Sequence, residues 1–451
     1  MIGACTADVC GKLFNDADRL HHRATMKKAA LLAAGDSTRM MPLSANISKH
    51  LLPIAGEPLI FHTLKALRDA GIEETLIVYG YRGEDLQDAI DSVDWKPMRI
   101  SCILQRERKG TADAARYAKA FAVDDDIILM YGDILSGPGT FKGLIEHHRR
   151  SKRNFTVSVK PVDDPSAYGI IVVKRKKVVD LIEKPKPEQM VSNLVNAGIY
   201  ATGPEIWEAI DKTQPSSRGE LEITDSIKML IDQGKVGAYD LPSWWMDVGK
   251  PWDLLEANRL ILNDATGHVS GKVEEGAVLK GEVFVEKGAT IRSGSYIEGP
   301  VYIGEGSTIG PNCYLRAHTS VGKQVKIGNA VEIKNSIIMD GTNVGHLSYV
   351  GDSVIGRKVN FGAGTITANL RHDNETVKVS VKGQRINSGR RKMGAVVGDN
   401  VKTGIGTLIA PGIVLHQGSR TGVGVIVDKD IEPEKLVLTD QPKTIVDAPR
   451  K

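Results

Sequence analysis

Cysteine is scarce in this chain of 451 residues: Cys5, Cys10, Cys102 and Cys313 are all there is. None forms a CxxC pair, so a disulfide framework or a zinc site is not expected, and a reducing cytoplasm is. No run of 18 apolar residues occurs, which excludes a membrane-spanning helix. Neither sign of charge is in excess: 59 basic and 55 acidic side chains leave +4. That is too little to argue for a nucleic-acid partner, although local basic sites still suit small anionic ligands. Aromatics are few, with 7 Phe, 5 Trp and 11 Tyr. The 41% of hydrophobic residues is nevertheless too high for a disordered chain. Glycine is the exception, and it is uneven: 27 of 47 glycines fall within residues 271–430. It does not recur every third residue over a long stretch, so the chain is not collagen-like.

The order of apolar runs divides the chain. Residues 1–25 have neither an apolar core nor a period, and a disordered extension is expected there, with Met26 as a natural start. From 26 to 250 short strands such as AALLAAG, TLIVYGY, RISCILQ and DIILMYGD alternate with amphipathic helices. This predicts a Rossmann-like α/β domain with a mostly parallel sheet covered on both faces. Ligands are then expected beyond the carboxyl ends of the strands, where AGDSTR, QRERKGT and YGD lie. PWDLLEANRLILND reads as a helix with Pro251 at its first position, within a linker over 251–268. Residues 431–451 read as a C-terminal tail.

Over 269–430 the period becomes six. Val273, Leu279, Val285, Ile291, Ile297, Ile303, Ile309, Leu315, Val321, Ile327 and Ile333 are aliphatic at six-residue spacing. Ile338, Val344, Val350, Ile355 and Phe361 continue the count with two five-residue steps. Val397, Thr403, Ile409, Leu415, Thr421 and Val427 resume it after an interruption. A helix needs apolar residues every three or four positions. This spacing puts one aliphatic side chain on each flat side of a solenoid, with glycine at the corners, and predicts a left-handed parallel β-helix of hexapeptide repeats. Coils that bury only their neighbours need few aromatic residues.

Two blocks, LLAAGDSTRMMPL and SKHLLPIAGEP, carry the first chemistry. A glycine turn after a strand exposes backbone N–H groups to a triphosphate, here at Ala34 and Gly35. Arg39 and Lys49 supply positive charge where negative charge develops on the α-phosphate. The paired blocks resemble the sugar-1-phosphate nucleotidylyltransferases, of both the thymidylyl and uridylyl types. The resemblance implies that Gln105 with Gly110 and Thr111 reads the base. It implies that Asp133 of YGD and Asp247 of WWMDVGKPWDLLEAN hold Mg²⁺. Tyr168-Gly169, Glu183-Lys184 and Asn196 match its sugar pocket, with Lys184 gripping the sugar phosphate, and RGELEITD at 218–225 matches a further block of the thymidylyl type. One position departs: Ser37 stands where the loop usually has a second glycine, which matters if a positive φ is required there.

The solenoid carries a second constellation. Arg316, Lys334, His346, Tyr349, Asn360, Ala363 and Asn369 resemble, in identity and spacing, the acetyltransferase domain of bifunctional uridylyltransferase/glucosamine-1-phosphate acetyltransferases. That resemblance implies His346 as the base that frees the amine, with Arg316 and Lys334 on the sugar phosphate. It further implies Tyr349 and Asn360 on the sugar, and Ala363 and Asn369 toward acetyl-CoA. Leu370 replaces a frequent aromatic, and Gly404 aligns with a serine of the CoA-binding coil. Residues 371–393 interrupt the hexads with seven Lys/Arg and two acidic residues, in the style of the archaeal branch. Arg390, Arg391 or Lys392 is expected to meet CoA phosphate.

The whole implies a cytoplasmic bifunctional enzyme of nucleotide-sugar synthesis, with Mg²⁺, acetyl-CoA and UTP or dTTP as its small molecules. A homotrimer or a dimer of trimers is expected. The alternative is a single-activity nucleotidylyltransferase whose β-helix oligomerises or regulates.

Overall fold

A computed structural model describes residues 26–151, 153–174, 177–440 and 442–444. The expected extension 1–25 lies outside the described residues, as does most of the tail beyond 440. By its contacts the chain forms two compact units. Of the described residues, one comprises those up to Asp36 together with those of Leu59–Asp247; the other comprises Ser37–Pro58 together with those from Val248 onward. Among the described residues no helix is long and apolar enough to cross a membrane.

The first unit is built on a nine-stranded sheet. Lys28–Ala33 is nearly all aliphatic and buried, and lies between Glu74–Tyr79 and Ile127–Tyr131, both parallel to it. Arg99–Leu104 adds a parallel edge strand. Helices Leu59–Asp69, Gly83–Asp91 and Thr111–Arg116 return the chain between these strands, as the alternating pattern requires. The other half departs from the mostly parallel expectation. Leu194–Thr202 runs antiparallel to Ile127–Tyr131 and to Phe155–Pro161, and Gly169–Lys174 pairs antiparallel with Lys177–Glu183. Among the described residues no α-helix separates Phe155 from Thr202, and strands joined without a crossover pair antiparallel. Leu32, Leu129, Phe155, Val157 and Tyr200 form one core with helices Thr111–Arg116, Glu205–Lys212 and Ile223–Asp232. A separate two-stranded ribbon pairs Ile134–Ser136 with Trp245–Asp247.

In the second unit the helix Asp253–Asp264 precedes the solenoid. Pro251 lies in the preceding turn rather than at the first helical position. The Asp253 carboxylate accepts the N–H groups of Gly249 and Lys250 at 3.0 and 2.7 Å, which fixes that turn and starts the helix two residues later. The segment Ser37–Pro58 is tied to the same helix where Ala55 N–H donates to Asn258 Oδ1 at 2.9 Å. Beyond it runs the β-helix, from His268–Val269 to Leu436–Val437, as three stacks of parallel strands. Ile291 pairs with Ile309 and Ile309 with Ile327, three hexads per coil. Every predicted aliphatic position from Val285 to Ile355 is fully buried in one continuous core. Each such Ile, Leu or Val contributes about 1.5–3 kcal/mol. The basic interruption forms an antiparallel ribbon, Lys378–Val381 with Gln384–Asn387. The coils close past it, with Val354 pairing directly with Val396.

Candidate active sites

In the first unit the expected base-reading residues are fixed on one another. Gln105 is buried; its Nε2 donates to Asp113 Oδ2 at 2.7 Å, and its backbone N–H to the Tyr79 carbonyl at 2.8 Å. Gly110 has φ +118°, and a Cβ there would lie 2.5 Å from the Leu221 carbonyl oxygen. Both the conformation and the close approach call for glycine. Thr111 Oγ1 accepts Ile223 N–H at 2.9 Å, so RGELEITD is laced onto this turn. Ala34, buried, and Gly35, exposed, follow the strand Lys28–Ala33, and Asp36 pairs with Arg108 of the QRERKGT stretch.

The expected sugar and metal residues of this unit are also gathered. Gly169 faces Glu183 across an antiparallel pair, and Lys184 N–H donates to the Tyr168 carbonyl at 3.2 Å. Asn196 donates Nδ2 to Tyr200 Oη at 2.9 Å and accepts Gly198 N–H at 3.1 Å. The Trp245 indole N–H donates to Ala197 O at 2.8 Å, and its ring meets Tyr168 edge-on with centroids 5.5 Å apart. Trp245 thereby anchors the ribbon that carries Asp247 to the strand that carries Asn196. In that ribbon Asp247 faces Ile134, the neighbour of Asp133. Among the described residues no three His, Cys, Asp or Glu side chains are gathered for a metal ion. Two carboxylates on neighbouring positions suit Mg²⁺, which takes one or two from protein and completes its shell with phosphate oxygens and water.

Arg39 and Lys49 belong to the second unit. Ser37 adopts φ +59°, the left-handed conformation that its missing glycine would take without strain. Three bonds hold it there: Met40 N–H and Ser44 Oγ–H donate to Ser37 O at 3.0 and 2.8 Å, and Lys49 N–H donates to Ser37 Oγ at 3.4 Å. The serine thus links the turn before Arg39 to Lys49 itself. The Arg39 guanidinium lies against Gly249, 3.4 Å from where a Cβ would be. Behind that turn Asp253 is pushed up to about 6 by burial, against the opposing pull of Lys250, the Gly249 and Lys250 N–H groups and Arg39.

The solenoid brings the second constellation onto successive coils. Lys334 lies directly opposite Gly351, and Arg316 N–H donates to the Ile333 carbonyl one coil later at 2.8 Å. Arg316 pairs with Glu332 at 3.0 Å, which raises its pKa, and lies over the Tyr314 ring. His346 is exposed at the end of Asn343–His346. Asn360 stacks on Asn343 of the same face, and Gly364 N–H, next to Ala363, donates to His346 O at 3.3 Å. Burial raises the Tyr349 hydroxyl pKa, while a bond from Asn369 Nδ2 at 3.1 Å opposes the rise. The basic trio divides. Arg391 and Lys392 are exposed, with Arg391 donating to Asn374 Oδ1 at 2.8 Å, whereas Arg390 leans to within 3.8 Å of Glu256 on the helix Asp253–Asp264.

Sequence reasoning missed the partners of these residues. Asp113 holds Gln105, Glu332 holds Arg316, and the buried Asp352 meets Lys334, Asn335 and Asn369. Asp352 follows a corner glycine, where an exposed carboxylate is the ordinary expectation. The only signal in the chain was its place between Tyr349 and Asn369.

The family model described as nucleotidyl transferase matches residues 28–264, and one described as GMPPB C-terminal domain matches residues 297–421. The protein named Bifunctional protein GlmU in Methanococcus maripaludis is 42% identical, covering 91% of this chain and 96% of its own. Its namesake in Methanocaldococcus jannaschii is also 42% identical, covering 91% and 97%. The Bifunctional sugar-1-phosphate nucleotidylyltransferase/acetyltransferase of Sulfurisphaera tokodaii is 41% identical, covering 90% and 98%.

Proposed function

The chain belongs to the bifunctional sugar-1-phosphate nucleotidylyltransferase/acetyltransferase family, and on that premise we propose that it N-acetylates glucosamine 1-phosphate, or a related amino-sugar 1-phosphate, and couples the product to UTP or dTTP.

In the acetyl transfer, His346 takes a proton from the ammonium of the amino sugar, since only the neutral amine attacks a thioester. The amine nitrogen bonds to the acetyl carbon, and coenzyme A leaves as its thiolate. Arg316 and Lys334 hold the sugar phosphate, Tyr349 and Asn360 orient the sugar, and the backbone at Ala363 faces the thioester oxygen. In the second reaction a sugar-phosphate oxygen bonds to the α-phosphorus and pyrophosphate departs. Arg39 and Lys49 meet the charge that develops there. Lys184 grips the sugar phosphate, and Gln105, Gly110 and Thr111 face the base. Asp133 and Asp247 would hold Mg²⁺, which neutralises the reacting phosphates when bound.

The observation that supports the acetyltransferase half is that Arg316, Lys334, His346, Tyr349 and Asn360 sit on consecutive coils of one solenoid, Lys334 opposite Gly351 two residues from Tyr349, and Asn360 opposite Asn343 on the strand that ends at His346. A β-helix that only oligomerises has no need of that set. Acetyl-CoA sites of this kind lie between neighbouring subunits, so the reading includes a homotrimer or a dimer of trimers.

One matrix of assays tests it. UTP and dTTP are offered with glucose-, N-acetylglucosamine- and N-acetylgalactosamine 1-phosphate, and acetyl-CoA consumption is measured on both amino-sugar phosphates. Pyrophosphate release without any acetyl-CoA turnover would reduce the chain to a single activity.

A further inference from the structure

We infer that Asp352 is a positioning residue of the acetyl-transfer site, setting the direction of a hydrogen-bond chain that ends on the Tyr349 hydroxyl. The inference rests on the acetyltransferase reading above. Asp352 stands at the corner after Gly351 and is 3% exposed. Its Oδ1 accepts from Asn335 Nδ2 at 2.7 Å, and its Oδ2 from Asn369 Nδ2 at 2.6 Å. The Lys334 ammonium lies 3.5 Å from the same Oδ2. A carboxylate this deep is tolerated only when cations and donors meet it, and two of the three groups that meet it here, Lys334 and Asn369, belong to the site.

The direction follows from donor chemistry. An ionised carboxylate only accepts, so Asn369 must turn its NH₂ toward Asp352. That same nitrogen lies 3.1 Å from Tyr349 Oη. The hydroxyl oxygen therefore accepts from Asn369, and its own proton is left to donate elsewhere. Tyr349 becomes a donor toward an acceptor such as a phosphate oxygen, beside a lysine held by the same anion. Gly351 keeps the corner open for this arrangement: a Cβ there would fall 2.4 Å from Tyr349 Oη and 2.6 Å from Asn369 Nδ2. With an amide at position 352, Asn369 can present either end, and Tyr349 loses its assigned polarity.

Full-length enzyme is assayed with glucosamine 1-phosphate and acetyl-CoA, and its nucleotidyl transfer to N-acetylglucosamine 1-phosphate reports on the fold. Asp352→Asn should raise KM for glucosamine 1-phosphate about ten-fold or more, while KM for acetyl-CoA stays within about two-fold. Nucleotidyl transfer should not change. The same substitution in a Tyr349→Phe background should cost at least about three-fold less, because no hydroxyl remains to be oriented. If Asp352→Asn also lowers nucleotidyl transfer, Asn369→Ala replaces it and should reproduce the rise in KM for glucosamine 1-phosphate, which alone is then the readout because Asn369 also lies toward acetyl-CoA. Wild-type turnover with an unaltered KM in these variants, or an undiminished effect without the hydroxyl, overturns the inference alone. A wild type that consumes no acetyl-CoA on any amino-sugar phosphate overturns the acetyltransferase reading and this inference with it.

Discussion

Asp247 is brought beside Asp133 by a single antiparallel ribbon, in which Asp247 faces Ile134 and Trp245 faces Ser136. The two residues come from distant parts of the chain, and the pairing of three residues sets their backbones next to each other. Trp245 locks that pairing through its bond to Ala197.

Asp133→Ala and Asp247→Ala should each remove a metal ligand and cut pyrophosphate release beyond the roughly 10–100-fold typical of residues one layer behind a metal. Acetyl-CoA consumption should persist in both variants. Parallel assays of the two products check this, and a variant that loses both activities together would contradict separable sites.

His346→Ala should lower acetyl transfer by about 10²–10⁴-fold, the usual scale for a general base. Nucleotidyl transfer with N-acetylated substrate should remain at the wild-type rate. Acetyl transfer that survives the substitution removes His346 from the reaction.

Arg390 differs from its two neighbours. It leans on Glu256, which also pairs with Arg259 at 2.5 Å. Replacing Arg391 and Lys392 together by alanine should raise KM for acetyl-CoA, more at low salt than at high, where screening already weakens the contact. Arg390→Ala should instead lower stability, by about 1 kcal/mol or less for so long an ion pair. Salt titration of KM together with urea unfolding separates the two outcomes.

Ile333 is fully buried in the solenoid, whereas Val273 in its first coil is 37% exposed. Ile333→Ala should cost about 2–5 kcal/mol and Val273→Ala much less, because the first leaves a cavity in a packed core. Denaturant unfolding of the two variants provides the measurement. Equal losses would mean that the end coil is as tightly packed as the middle.

Burial pushes the Asp253 carboxyl up from 3.8 to about 6. Between those values the folded chain holds a proton that the unfolded chain has released. The stability this group contributes therefore falls as pH rises from about 4 to about 6 and stays low above that. At about 1.36 kcal/mol per pKa unit the span is roughly 3 kcal/mol. Asp253→Asn can still accept the Gly249 and Lys250 N–H groups through its amide oxygen, and it carries no charge to bury. Relative to wild type, the variant should gain stability at pH 8 compared with pH 4.5. Urea unfolding at both values tests this, and a difference that does not vary with pH rules out the buried-carboxylate account.

The solenoid could be read from the chain because its core is a local property. One aliphatic side chain per flat side recurs at fixed spacing, and residues from Val285 to Ile355 are buried as that spacing requires. The parallel half of the sheet was legible for a similar reason, since strand and helix periods differ and their alternation dictates crossovers. Gln105, Asp133, Asp247, Lys334 and His346 could be named from motif and spacing. Only the tertiary structure decided that the segment from Phe155 to Thr202 folds antiparallel and that Ser37–Pro58 groups with the second unit. It also decided which carboxylates lie behind the site residues. Asp352 and Glu332 look like any solvated acid in the sequence. Their importance comes from the coils stacked before and after them, whose Lys334, Asn369 and Arg316 reach them across a whole turn of the solenoid. Burial and partnership of a charge depend on what lies next to it in space, and for these residues that neighbour is 16 to 18 positions away along the chain.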